Sequence, residues 1–133
     1  MYKRQSQYGG VENFENNKTL GENKSPLFDS HFHICIENTQ SSNYFTEKLI
    51  DCFVTKTIPI YFGAPNIGKY FDLNGIFVVN NFDEILNVCN SLTEEEYQNK
   101  LLFVEKNFEL AQKYITIVDR LENTINYILN GDF

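Results

Sequence analysis

Apolar and polar residues along the chain switch period several times, and the switches mark the elements. From Leu27 to Ile36 they alternate, with Phe28, Phe32, Ile34 and Ile36 on one face, which predicts a β-strand. A polar loop, residues 37–45, follows. Thr46 is then placed as an N-cap, and Leu49, Ile50, Phe53 and Val54 recur at helical spacing to about Thr55. Thr57 to Phe62 is apolar almost throughout, as expected of a strand covered on both faces of a parallel sheet. Gly63 and Pro65 end it. A helical turn over Asn66–Phe71 and a turn over Asp72–Gly75 lead to a third strand, Ile76–Asn80.

The second half reads as helices. Phe82–Leu92 turns Ile85, Leu86, Val88 and Cys89 inward. Thr93 with Glu96 three residues on forms a capping box, which predicts one long helix to about Tyr114. In residues 115–133 a last amphipathic helix aligns Ile117, Val118, Leu121, Ile125 and Ile128. Strands alternating with helices, without repeats or low-complexity runs, predict an α/β layered domain with a parallel sheet over residues 27–114. Residues 6–26, with Gly9-Gly10 and Pro26, read as an irregular arm. Residues 1–5, MYKRQ, read as a non-native remnant, which would make the chain the C-terminal part of a longer protein.

Composition narrows the class. At 133 residues with 42% hydrophobic content, the chain is one folded domain with room for a core. A net charge of −7 removes the basic footprint that nucleic-acid binding needs. An anionic ligand would have to be held by local groups rather than by the overall field. Three cysteines without close spacing argue against a disulfide framework and for a reducing compartment. The sequence shows neither a membrane-spanning run nor a signal-peptide core, so cytoplasm is the expectation.

The chemistry concentrates in Phe32–Gly63. A strand, a polar loop and a capped helix in this order suit a phosphorylated ligand held at the helix N-terminus, where unpaired N–H groups and the helix dipole favour an anion. Lys48 in the first turn adds a mobile cation. Glu47 beside it suits ribose hydroxyls, being an acceptor when ionised. Taken singly, a Glu-Lys pair opening a helix reads as a solvated surface pair, Tyr44 as packing and Asn38 as a turn former. The joint spacing of Glu37-Asn38, Tyr44, Thr46-Glu47-Lys48, Asp51, Pro59, Tyr61 and Gly63 is more specific. It closely resembles the donor-binding segment of the α-1,3/4-fucosyltransferases, glycosyltransferase family 10.

That resemblance implies the Rossmann-like C-terminal half of a GT-B glycosyltransferase. It implies inverting transfer of L-fucose from GDP-fucose to a hydroxyl of an N-acetylglucosamine or glucose unit of a glycan. By resemblance Asn38, Tyr44, Glu47 and Lys48 contact the guanine nucleotide and its pyrophosphate, with Glu37, Thr46, Pro59, Tyr61 and Gly63 in support. The catalytic base and acceptor site would lie in an N-terminal domain, leaving this chain inactive alone. A eukaryotic parent would place it at the Golgi membrane.

Other constellations are weaker. His31, His33, Cys35 and Glu37 alternate on one strand face, a zinc-competent set without partners elsewhere in the sequence, so no metal site is expected. Ser30-His31 is a neighbour pair rather than part of a triad. The absence of G-x-G-x-x-G implies no nicotinamide or flavin, and the absence of Asp-x-Asp at the motif fits leaving-group stabilisation without a metal, so no cofactor is expected. The final helix is expected to pack on this domain or on a further one; weak peripheral membrane association is the alternative, disfavoured by its acidic polar face. A free-standing nucleotide-sugar or glycan-binding module and a GT-B transferase with another donor are the competing functions.

Overall fold

The computed structural model describes residues 29–115 and 117–130. The expectations for residues 1–5, for 6–26, and for a first strand beginning at Leu27 with Phe28 facing inward lie outside them.

Among the described residues three strands make one parallel sheet in the order β1-β2-β3: β1 is Phe32–Ile36, β2 is Ile58–Phe62 and β3 is Phe77–Val78. β1 pairs with β2 from Phe32 opposite Ile58 to Ile36 opposite Phe62, and Ile60 and Tyr61 pair with Phe77 and Val78. Helix α1, Glu47–Val54, connects β1 to β2; α2, Phe82–Ser91, follows β3. Then come α3, Glu94–Asn99, α4, Leu101–Ala111, and α5, Ile117–Leu129.

β2 is the spine. Ile58, Pro59, Ile60 and Tyr61 are all buried, because side chains on both of its faces are covered. Tyr61 joins Cys35, Leu49, Phe53 and Phe71 on the α1 side. Ile60 joins Val79 and Ile85 on the α2 side, and Ile58 joins Phe32, Tyr97 and Val104.

Double coverage corrects the expected alternation in β1. Phe32 and Cys35 are buried, whereas Ile36, predicted to face inward, is 50% exposed. Alternation assumes one wet face; here Cys35 goes into the α1 side, and Ile36 emerges at the end of the sheet. Pro59 is tolerated in the middle strand for a related reason. Ile58 N–H donates to the His31 carbonyl on the β1 side, so residue 59 looks toward β3, whose pairing starts only at Ile60.

The predicted helix from Thr93 to Tyr114 is broken. Thr93 caps as expected, accepting from Glu96 N–H at 3.0 Å, but at Lys100 the backbone leaves helical geometry (φ −100°, ψ 1°). Lys100 there donates to the Asn74 carbonyl at 3.1 Å and lies over the Phe77 ring. The break lets α3 aim Tyr97 at the sheet's lower end, where its hydroxyl donates to the Lys56 carbonyl at 2.8 Å and its ring stacks on His31. α4 meanwhile turns Val104, Asn107 and Ala111 inward.

The last helix forms within the expected range, as α5. Leu121, Ile125 and Ile128 are each more than half exposed. α5 touches the body through Tyr127, whose hydroxyl accepts from Lys69 Nζ at 2.9 Å. No helix among the described residues is long and apolar enough to cross a membrane.

A buried asparagine ties α4 to the turn before β3. Asn107 accepts from Asp72 N–H at 2.8 Å and donates to its carbonyl at 3.0 Å. Gly75 is required beside it, since a Cβ there would lie 2.5 Å from Asn107 Nδ2. The Asp72 carboxylate takes Lys106 Nζ at 2.7 Å and Asn74 N–H at 2.9 Å, and Lys106 first, then Asn74, holds its pKa below the ordinary carboxylate value.

Two outcomes are expected. Asn107→Ala strands both main-chain groups of Asp72 and should lower unfolding free energy by about 2–3 kcal/mol in urea denaturation. Because the folded pKa of Asp72 is depressed, its contribution is present above the unfolded carboxylate value and lost as pH falls through the folded one. Asp72→Asn should therefore narrow its stability deficit against wild type between pH 7 and pH 3; a constant deficit would refute the ionic part.

Candidate functional site

The C-terminal end of β1, the loop after it and the N-terminus of α1 meet at one place, and Glu37 joins them. It is the first residue past β1 and is only 3% exposed. Its main-chain N–H donates to the Phe62 carbonyl at 2.9 Å, continuing the sheet by one bond. One carboxylate oxygen accepts Thr46 N–H at 2.9 Å and the other the Thr46 hydroxyl at 2.8 Å. The Thr46 oxygen in turn accepts Lys48 N–H at 3.3 Å, which caps α1. The acidic residue thus closes the loop by holding the cap rather than by facing solvent.

Behind the cap, Leu49, Ile50, Cys52 and Phe53 lock the helix into the core. Burial pushes the Cys52 thiol up, with Cys35 adding to the effect. α1 ends with Lys56 at φ 56°, whose N–H bonds to Phe53, while Thr57 N–H bonds to Cys52. The helix is therefore fixed at both ends.

Two of the four predicted contact residues meet at its front. Lys48 Nζ donates to Asn38 Oδ1 at 3.2 Å across the mouth of the loop. Glu47 stands exposed in the first turn, and Tyr44 is 37% exposed at the loop's far side. The positive end of a helix dipole and a lysine lie there with a carboxylate alongside. Such a set can hold a diphosphate and a diol.

Of the five supporting residues, Glu37, Thr46, Tyr61 and Gly63 belong to this end and Pro59 does not. The Tyr61 hydroxyl accepts Ala64 N–H at 3.1 Å, and burial first, then Glu37, raises its pKa far above the usual phenol value. Gly63 lies over both: an added Cβ would come 2.7 Å from Glu37 Cγ and nearer still to the Tyr61 hydroxyl. Only glycine leaves space for that stack. Pro59 sits in β2 opposite His33, four residues before Gly63, and shapes the sheet rather than the strand end.

The alternating His31, His33, Cys35 and Glu37 are not drawn together. His31 Nε2 faces Glu94 at 2.9 Å, Cys35 is buried in the core, and Glu37 serves Thr46. Among the described residues no group of three or more His, Cys, Asp or Glu is placed to hold a metal. Sequence reasoning missed Asn43, Asn66 and Tyr70, which hold the loop's centre. Asn43 carried a signal as a turn former beside Tyr44, but its partners lie more than twenty positions on.

A parallel sheet with helices on both faces, matched to a solved fucosyltransferase, has the fold of the Rossmann-like half of a GT-B glycosyltransferase. The model of the C-terminal part of glycosyltransferase family 10 (fucosyltransferase) matches residues 4–123, and the chain belongs to that family. It is 33% identical over 122 residues to the α-(1,3)-fucosyltransferase FucT of Helicobacter pylori, covering 86% of this chain and 23% of the relative. It also resembles a crystal structure of an α1,3-fucosyltransferase with GDP, at TM-score 0.53 and 34% identity, over 65% of this chain and 28% of that one. The chain thus spans about a quarter of the length of these relatives.

Glu37→Gln, which puts an amide donor against the Thr46 donors, should lower stability by about 1–3 kcal/mol. Gly63→Ala should do the same by pushing on Glu37 and Tyr61. Urea denaturation reads both, and a wild-type midpoint for either would show that the stack is loose.

Proposed function

We propose that this chain is the donor-binding part of a fucosyltransferase and takes GDP-fucose at the N-terminus of α1. The observation that carries the reading is the convergence of Asn38, Glu47 and Lys48 in front of a cap fixed by Glu37, in a chain 34% identical to an enzyme solved with GDP. Lys48 and the positive end of α1 hold the pyrophosphate, Glu47 takes the ribose diol, and Tyr44 closes the side of the site. As the anomeric bond breaks, negative charge builds on the departing diphosphate, and the same cation and dipole stabilise it without a metal.

Transfer inverts the anomeric centre by direct displacement from an N-acetylglucosamine or glucose hydroxyl of a glycan. That requires a base on the face opposite the leaving group. The base and the acceptor site belong to the part of the enzyme that this chain does not span. The chain alone is accordingly inactive.

Calorimetric titration of the 133-residue chain with GDP-fucose, GDP and UDP tests the donor site. Guanine-selective binding is expected, and Lys48→Ala should weaken it roughly 10- to 100-fold by removing a charge-assisted contact. Equal affinity for UDP, or indifference to Lys48→Ala, would overturn the assignment. With N-acetyllactosamine and GDP-fucose the chain should release no GDP; release would overturn its inactivity.

A further inference from the structure

The loop between β1 and α1 is clamped at its ends by Glu37 and Thr46, but its centre is held from another part of the chain. Asn43 N–H donates to Asn66 Oδ1 at 2.8 Å, and Asn66 Nδ2 donates back to Asn43 Oδ1 at 2.8 Å. The Tyr70 hydroxyl donates to the same Asn43 oxygen at 2.6 Å. Asn66 and Tyr70 follow β2, more than twenty residues later, and flank the short 3-10 turn Ile67–Lys69.

Asn43 has φ 64°, in a turn closed by Tyr44 N–H on the Ser41 carbonyl at 3.1 Å. Glycine, asparagine and aspartate enter that region most readily. The Tyr70 ring also lies 5.1 Å from Phe45, so one residue grips the loop by its hydroxyl and by its face. The three residues lie directly beside the proposed contacts: Asn43 precedes Tyr44, and the held loop begins at Asn38, the partner of Lys48.

The reciprocal pair is at the surface, with Asn43 exposed and Asn66 partly so, outside the three core clusters. Removing it takes no apolar contact from the sheet. Its effect must fall instead on the loop, whose ordering would otherwise be charged against binding.

We propose that Asn43, Asn66 and Tyr70 are positioning residues, a latch that holds Tyr44 and the Asn38–Lys48 pair in the nucleotide-receiving arrangement before the ligand arrives. The inference rests on the donor-site reading above. None of the three touches the nucleotide; they set the fraction of molecules competent to bind. A latch of this kind acts on the association rate, since apparent affinity falls with the competent fraction while the bound contacts are unchanged.

The test is GDP binding by the 133-residue chain, read by stopped-flow for rates and by calorimetry for affinity. Asn43→Gly keeps the backbone conformation and loses the side chain; Asn66→Ala removes the reciprocal partner. Each should weaken GDP about tenfold, mostly through slower association. The double variant should be little worse than the weaker-binding single one, because both break one device. Tyr70→Phe, which keeps the ring against Phe45, should lose a smaller share. Far-UV circular dichroism and the thermal midpoint should stay near wild type.

Wild-type binding by Asn43→Gly and Asn66→Ala, full additivity in the double variant, or losses confined to dissociation would overturn the latch. Lys48→Ala separates this from the parent reading. If Lys48→Ala weakens GDP and Asn43→Gly does not, the latch alone fails. If wild type takes up no GDP, both fall.

Discussion

The two hydrogen bonds from Thr46 to the Glu37 carboxylate are the contact on which the site depends. A carboxylate 3% exposed would be costly to bury alone, and the main-chain N–H and hydroxyl of Thr46 compensate it. In doing so they fix the distance between the end of β1 and the start of α1, so an eight-residue loop must begin and end at set points. Gly63 and Tyr61 support the carboxylate from below, which explains why a glycine and a buried phenol sit together at the end of β2. A surface ion pair could not do this, since exposed charges gain little from pairing and fix no geometry. Burial is what makes Glu37 a hinge-pin, and it also takes Glu37 out of contention as a ligand group.

The rest of the fold serves to hold that end of the sheet rigid. β2, buried on both faces, cannot slip in register without moving Tyr61 and Ile60 out of opposite cores. α1 is fixed at its front by Thr46 and at its back by the two bonds around Lys56, so its positive end points in one direction. On the far side Asn107 fastens α4 to Asp72, setting where β3 begins. Ligand groups in parallel α/β sheets come from the loops beyond the strand ends because those are the places where main-chain donors are neither paired in the sheet nor buried in the core. Here that region is also where Ile36 and Tyr44 reach solvent.

Much of this was legible in the sequence because it is local. The cap at Thr46, the buried run of β2 and the start of α2 follow from neighbours within about ten positions, whereas Asn38 and Lys48 were joined only by the family resemblance. What escaped depends on distant partners. Nothing near Lys100 announces a helix break; the cause is the Asn74 carbonyl and the Phe77 ring, more than twenty residues back. Asn107 reads as a polar residue on a helix until Asp72 is placed beside it. Ile36 reads as inward by period two, and only the second layer of helices reassigns the faces to Cys35. Pro59 looked like part of the strand-end signature because it travels with Tyr61 and Gly63 in the motif, yet it lies lower in the sheet.

The charge balance shows why such local geometry matters for this chain. A net charge of −7 gives a diphosphate no long-range welcome, and beyond about a Debye length salt would remove even a favourable field. Attraction must arise within a few ångströms, from groups whose positions are settled beforehand. Lys48 supplies full charge, but on a flexible stem, and its contact with Asn38 restrains that stem. The helix supplies only partial charge, but in a fixed direction. Neither suffices if the loop wanders, because an unordered loop would spend the same contacts on its own ordering. In the proposed donor site, Glu37 holding the loop's ends and Asn66 with Tyr70 holding its middle would therefore count as much as the lysine, although none of them needs to touch a ligand.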